Sequence, residues 1–288
     1  MASYDEKFDS SLDLLRRLDP KQINENLNKV CTLIQNDDNE ESAELAQDLL
    51  STVDVPLKIQ KCSESGKNYL CCDYNRDGDS YRSPWSNKYY PEVSEQESED
   101  TPYPSRTLRQ LEIKANESFE IYCEMYYEGD GISSIYFWDT AEIEGLEEGF
   151  AGVALFKKET DNGAGKWNSI HVFEVIPEDS GSSLYKLTSS VILDLQKKTE
   201  SPLSLSGNIT RQVETSQSLR IDNAVNLETA HLINIGTLVE NSENNLRNLL
   251  QAVYFDKLKD IITKDLRSLG KSRDDSKQAE VIKGISSQ

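Results

Sequence analysis

The heptapeptide Asp73-Tyr74-Asn75-Arg76-Asp77-Gly78-Asp79 carries oxygen-bearing side chains at its first, third and fifth positions and a glycine at the sixth, matching the first half of a calcium-binding EF-hand loop. The twelfth position, where such a loop needs a bidentate glutamate, is Pro84, and no amphipathic helix leads into Asp73. The segment therefore reads as a turn closed by Asx-type hydrogen bonds. Gly163-Ala164-Gly165-Lys166 partly matches a phosphate loop, yet Trp167 stands at the Ser/Thr position and Thr160 where the first glycine belongs, so it reads as a hairpin turn. His171 lies in a strand pattern and His231 at the start of a helical one, and neither has a Ser or Cys constellation suggesting a triad. Cys31, Cys62, Cys71, Cys72 and Cys123 form an odd set without metal-ligand spacing and read as reduced structural thiols. With 51 Asp and Glu in the chain, paired carboxylates are no guide to acid–base chemistry. No catalytic, cofactor-binding or metal-binding residue is assigned, and the chain reads as a non-enzyme.

The aromatic run Tyr69, Tyr74, Tyr81, Trp85, Tyr89 and Tyr90 has the makings of a ligand cage or a base-stacking platform. Against it stands the charge: 31 Lys and Arg against 51 Asp and Glu give −20, which disfavours nucleic acid and anionic lipid as global partners. A packed aromatic loop is the better reading. Asn116-Glu117-Ser118 and Asn208-Ile209-Thr210 match the glycosylation pattern, but the start, MASYDEKFDS, has neither a basic nor an apolar leader region. No apolar run approaches the ~18 residues of a membrane span. A cytoplasmic protein with unmodified asparagines is expected.

The elements that must position these residues fall into three stretches: a helical lobe (1–60), a core (61–270) and a tail (271–288). In the first, Phe8, Leu12, Leu15 and Leu18 recur at helical steps, Asp19-Pro20 breaks the pattern, and Ile23, Leu27, Val30, Leu33 and Ile34 resume it. A third helix with Leu45, Leu49 and Leu50 must end before Pro56. The stretch from Lys67 to Pro91 predicts an ordered loop with a short strand at Tyr69–Cys72. The acid-rich Glu92–Asp100 predicts a solvated loop. Arg106–Tyr127 is helical in spacing. Ile132–Asp139, Phe150–Lys158, Trp167–Ile176 and Ser183–Gln196 then read as strands, with a weaker fifth at Gly207–Glu214, joined by turns that suit an antiparallel meander.

From Leu227 one apolar stripe runs for some forty residues, through Ile235, Leu238, Val239, Leu246, Leu250, Leu258, Ile262 and Leu269. A helix that long cannot bury its stripe on a small sheet alone. Replacing Tyr by Gly in the counted apolar set leaves about 36% of residues against a typical ~45–50%, so a partner surface is expected. Residues 255–288 hold eight bases and six acids while the remainder holds 23 and 45, so positive charge gathers at the C-terminal end. The fold expected is α+β: antiparallel N-terminal helices, an antiparallel meander sheet, a long C-terminal helix packed across it, and a short mobile amphipathic tail.

Several segments together resemble the β subunit of F-actin-capping protein. They are Leu14-Leu15-Arg16-Arg17-Leu18, DYNRDGDSYRSPWSNKY at Asp73–Tyr89, Gly149-Phe150-Ala151-Gly152-Val153, Trp167-Asn168-Ser169-Ile170-His171-Val172 and Tyr185-Lys186-Leu187-Thr188-Ser189. The resemblance runs in order from about Ser11 to Arg267, and acidic loop insertions give it the look of a fungal form. It implies an obligate heterodimer with a similarly folded α subunit that continues the sheet. It also implies calcium-independent binding of the barbed end of the actin filament, blocking subunit addition and loss in the cortical actin cytoskeleton. Phosphoinositides and regulatory proteins enter as further partners. Carried over by position, the actin-binding tail is Lys271–Gln288, with Val281, Ile282 and Ile285 as its apolar face. A basic surface for acidic actin is offered by Arg247, Lys257, Lys259, Lys264 and Arg267. A scaffold subunit of a larger actin-like assembly, without free capping, is the alternative; a calcium-regulated module rests on Asp73–Asp79 alone.

Overall fold

A computed structural model describes residues 3–19, 22–35, 39–53, 55–92, 103–127, 130–140, 145–160, 165–178, 181–197, 205–221 and 225–252. The chain separates into two compact units, Met1–Glu240 and Asn241–Gln288.

The first unit begins with three helices, α1 (Tyr4–Arg17), α2 (Ile23–Gln35) and α3 (Glu40–Thr52). Ser3 and Glu6 close a capping box on α1 and the Asn39 side chain caps α3, satisfying amide groups that the first turn leaves open. The polar Glu40 and Glu41 lie in the first turn of α3. Leu15, Leu27, Val30, Cys31, Leu45, Ala46 and Leu49 meet in a core of the lobe's own. Tyr4 donates to Asp48 at 2.6 Å, and Lys7 pairs with Glu41 at 2.7 Å.

The short strand expected at Tyr69–Cys72 is present as β2 (Asn68–Cys71), which forms a hairpin with β1 (Lys58–Lys61). The rest of the expected aromatic loop carries three further strands, β3 (Arg76–Asp77), β4 (Ser80–Arg82) and β5 (Tyr89–Tyr90), in a small antiparallel sheet. Strands of two to four residues are too short to leave a period in the sequence. Helix α4 (Arg106–Tyr126) follows, as its spacing predicts.

The main sheet is a five-stranded antiparallel meander in the order β10-β9-β8-β7-β6: β6 (Ile132–Asp139), β7 (Phe150–Glu159), β8 (Gly165–Glu178), β9 (Ser182–Lys197) and β10 (Leu205–Arg220). The first four match the sequence reading within about two residues. β10 is twice the expected length because its backbone ladder with β9 continues through Ser216, Gln217 and Ser218, polar residues that carry no apolar alternation. Of the hairpin turn expected at Gly163-Ala164-Gly165-Lys166, the first two residues lie outside the described residues. Gly165 and Lys166 open β8, with Glu159 of β7 opposite Lys166 and Thr160 N–H donating to the Gly165 carbonyl at 2.9 Å.

On one face of the sheet, here the upper, Phe137, Phe150, Phe156, Phe173, Val175, Tyr185 and Leu187 pack with Leu108, Leu111, Ala115 and Phe119 of α4. Ile235, Leu238 and Val239 of α5 (Leu227–Gln251) join the same core. Gly152 is required there, since a β-carbon would stand 2.6 Å from the Phe173 ring and 2.8 Å from that of Phe137. The lower face buries Tyr136, Val153, Leu155 and Ile170 against Leu57 and Leu70.

In the second unit the described residues are the remainder of α5 and residue 252, with Leu246 and Leu250 buried. The continuation of the long stripe and the tail from Lys271 lie outside the described residues.

Candidate functional site

Each motif with chemical promise turns out to be occupied by the fold. In the EF-hand-like heptapeptide, Asn75 is buried and turned inward: its Oδ1 accepts from Cys72 N–H at 2.8 Å, and its Nδ2 donates to the carbonyls of Arg82 and Leu70 at 2.9 and 3.3 Å. Asp77 lies in β3, paired across to Ser80, and Gly78 takes the positive φ of the turn between β3 and β4. The middle ligand of a calcium loop has therefore become the buried tie of a hairpin.

His171 is fully buried, with Nδ1 at 2.7 Å from Ser189 Oγ on the adjacent strand. That contact is a His–Ser pair the linear sequence did not reveal, sealed from any substrate. His231 meets the Phe150 ring edge-on with Nδ1 at 2.7 Å from the Tyr185 hydroxyl, and its Nε2 meets no partner among the described residues. Burial holds its pKa down to about 4. The five cysteines are free; burial raises the thiols of Cys71 and Cys72 to about 12, which suppresses their reactivity. Asn116 is 1% exposed, donating to Glu112 and Ile135 carbonyls and accepting from Ile135 N–H, so no glycan can be attached there.

The aromatic run is packed. Tyr69 and Tyr89 are buried, and Tyr81, Trp85 and Tyr90 close around Cys62. A buried ion pair holds this region to α4: Arg82 reaches both oxygens of Glu112 at 2.7 and 2.8 Å, Glu112 also receives the Phe137 N–H at 3.0 Å, and Arg109 adds a second cation. Tyr74 stays half exposed, stacked on Trp138 at 5.3 Å.

Of the residues assigned to binding, only Arg247 falls among those described. It lies on α5, one turn from Glu243, with Nε 3.5 Å from Oε2, so part of its charge is met within the helix. Lys257, Lys259, Lys264, Arg267, Val281, Ile282 and Ile285 lie outside the described residues.

Surfaces that the sequence reading missed are more informative. β10 pairs only with β9 among the described strands, leaving a sixteen-residue edge of the kind that natural sheets cover or extend. Ile113, Ile121, Met125 and Tyr126 of α4 are exposed, between 42% and 70%. Ile113 and Ile121 sit on the side of α4 away from Leu108, Leu111, Ala115 and Phe119, where the single apolar period gives no sign of them, while Tyr126 lies against Tyr122 at the end of the buried stripe, rings 4.7 Å apart.

Exposed apolar residues on α4, a sheet edge open among the described strands and motifs consumed by packing are thus the features the structure offers. The model of the family described as F-actin capping protein, beta subunit, matches residues 8–262. The chain belongs to that family. It is 66% identical to a Debaryomyces hansenii protein named F-actin-capping protein subunit beta, over the full length of both. A Saccharomyces cerevisiae protein of the same name is 49% identical, covering 98% of this chain and 99% of that one. Among solved structures, the homodimeric actin capping protein alpha subunit from Plasmodium berghei superposes with a TM-score of 0.52 at 15% identity, over 92% of this chain and 98% of that one. The likeness shows a shared fold. Within the segments that carried the resemblance, Gly152 makes a close aromatic contact, and Asn168 and His171 are buried hydrogen-bonding groups of β8. Asn75 ties the heptapeptide turn from within.

Proposed function

We propose that this chain is the β subunit of a heterodimer that caps the barbed ends of actin filaments without catalysis and without calcium. The full-length identity of 66% to a protein named F-actin-capping protein subunit beta carries the reading. The partner is a capping protein α subunit. The fold shared with an alpha subunit and the open edge of β10 support a sheet that runs on from one subunit into the other. Burial of both histidines and of four of the five thiols supports a non-enzymatic role. No helix among the described residues is long and apolar enough to cross a membrane, in keeping with action in the cytoplasm at cortical actin patches. Phosphoinositides and regulatory proteins are proposed as modulators.

Actin contact is assigned to the tail 271–288 through Val281, Ile282 and Ile285, and to the bases Arg247, Lys257, Lys259, Lys264 and Arg267. The lobe 1–60 and core 61–270 serve assembly. The test is elongation from filament seeds in the presence of the co-expressed heterodimer, with sedimentation against preformed filaments. Barbed-end growth stops if the reading is right; filament binding with full-rate growth points to the scaffold alternative. The double variant Ile282→Asp, Ile285→Asp should speed dissociation from barbed ends, with a smaller change in on-rate and an unchanged melting temperature.

A further inference from the structure

Among the described residues, the segment that follows α3 ties the three-helix lobe to the sheet through Leu57. Helices α1–α3 pack chiefly on one another, and a groove of about 520 Å³ separates them from the lower face of the sheet. Leu27, Leu50 and Val53 line it on the lobe side, and Ile170, Val172 and Thr188 on the sheet side. The covalent link is residues 53–57. Val53 and Val55 pack on the lobe core, whereas Leu57 is buried in the lower-face core with Leu155 and Ile170. Pro56, between them, has its φ fixed by its ring.

Both backbone groups of Leu57 end on a single cross-strand pair. Its N–H donates to Asn168 Oδ1 at 3.2 Å, and its carbonyl accepts from Lys157 Nζ at 2.8 Å. Lys157 Nζ also donates to Asn168 Oδ1 at 2.9 Å, and the two residues stand directly opposite each other in β7 and β8. Lys157 is 8% exposed and Asn168 1%. No carboxylate pairs with Lys157 among the described residues; its acceptors are two neutral carbonyl oxygens, and burial lowers its pKa. Burying an ammonium on such terms carries a desolvation cost that an apolar side chain of the same length avoids. A costly group at a joint points to control of position.

We propose that Lys157 and Asn168 form a latch that clamps Leu57 as the pivot of a hinge, about which the lobe α1–α3 swings to widen or narrow the groove beneath the sheet. The lobe moves as one body because it has its own core and its own ties, Tyr4–Asp48 and Lys7–Glu41. Its swing is set at the pivot because, among the described residues, its helices pack chiefly on one another.

The test uses the full chain in whatever assembly it purifies, with Lys157→Met and Asn168→Ala examined separately. Hydrogen–deuterium exchange over 55–58 should quicken at least tenfold in both variants, while amides within α1–α3 and within β7–β8 keep their rates. The spin-label distance distribution between unnatural-residue labels at position 33 on α2 and position 186 on β9 should broaden. Unchanged exchange at 55–58 in both variants overturns the latch. Equal acceleration in β7–β8, or failure of both variants to fold, also overturns it, because the pair is then ordinary core structure.

Discussion

The upper face of the main sheet is covered by contact between apolar surfaces, Phe137, Phe150, Phe156 and Phe173 of β6–β8 packing with α4 and α5. On the lower face, the segment leading from the lobe docks through one apolar residue, Leu57, and a pair of polar side chains, beside an open groove. The two faces separate two jobs. Broad apolar burial is non-directional and supplies stability roughly in proportion to area. A few buried hydrogen bonds add little net stability but fix geometry, since each is costly to leave unmade.

The sharpest way to break this contrast is on the upper face and at its rim. Phe156→Ala, in the middle of an aromatic cluster with Phe119, Tyr122 and Tyr127, should cost about 3–5 kcal/mol. Glu112→Ala, which strands the buried Arg82 and the Phe137 N–H, should cost a similar amount. Chemical denaturation of the assembled protein measures both. Losses under 1 kcal/mol for either would mean that the upper core is loosely packed.

Next in size is a pH effect. His231 has its folded pKa lowered to about 4 from 6.5 by burial, so the fold favours the neutral ring. Its contribution is complete above pH 6.5 and is lost as pH falls toward 4, reaching about 3 kcal/mol at the acid end. The acid limb of stability should therefore be shallower in His231→Gln than in the parent chain over that window. Parallel limbs would place a water or an acceptor at Nε2.

Smaller still, Lys186→Ala removes an exposed pair with Glu174 at 3.0 Å and should change stability by less than about 1 kcal/mol. At the foot of the scale, Asp77→Ala should leave capping unchanged with or without calcium; a calorimetric calcium signal lost in that variant would restore the cation-site reading of Asp73–Asp79.

Much of the fold was legible from periodicity. The three lobe helices, α4 and the strands from Ile132 to Gln196 follow from apolar spacing and turn residues, because each buries one continuous face. The small strands β1 and β3–β5 escaped because their register is set by partners outside the segment, as when Tyr81 pairs with both Arg76 and Tyr90. The site was less legible. The tail residues came from resemblance by position, whereas the exposed residues of α4 and the long edge of β10 became visible only once their neighbours were placed.

By itself the sequence determined the class of the protein: an acidic α+β chain, poor in apolar residues, with a stripe too long for its own sheet and motifs too incomplete for metal or nucleophilic chemistry. Those conclusions rest on composition and local spacing, which one strand or helix can express alone. Only the tertiary structure decided what the tempting residues do. Asn75, Asn116, His171, Lys157 and Asn168 point inward, to partners between 3 and 111 residues away along the chain. A buried polar group must find its partner wherever the fold brings one within 3 Å or so, and that distance is not written in any window of the sequence.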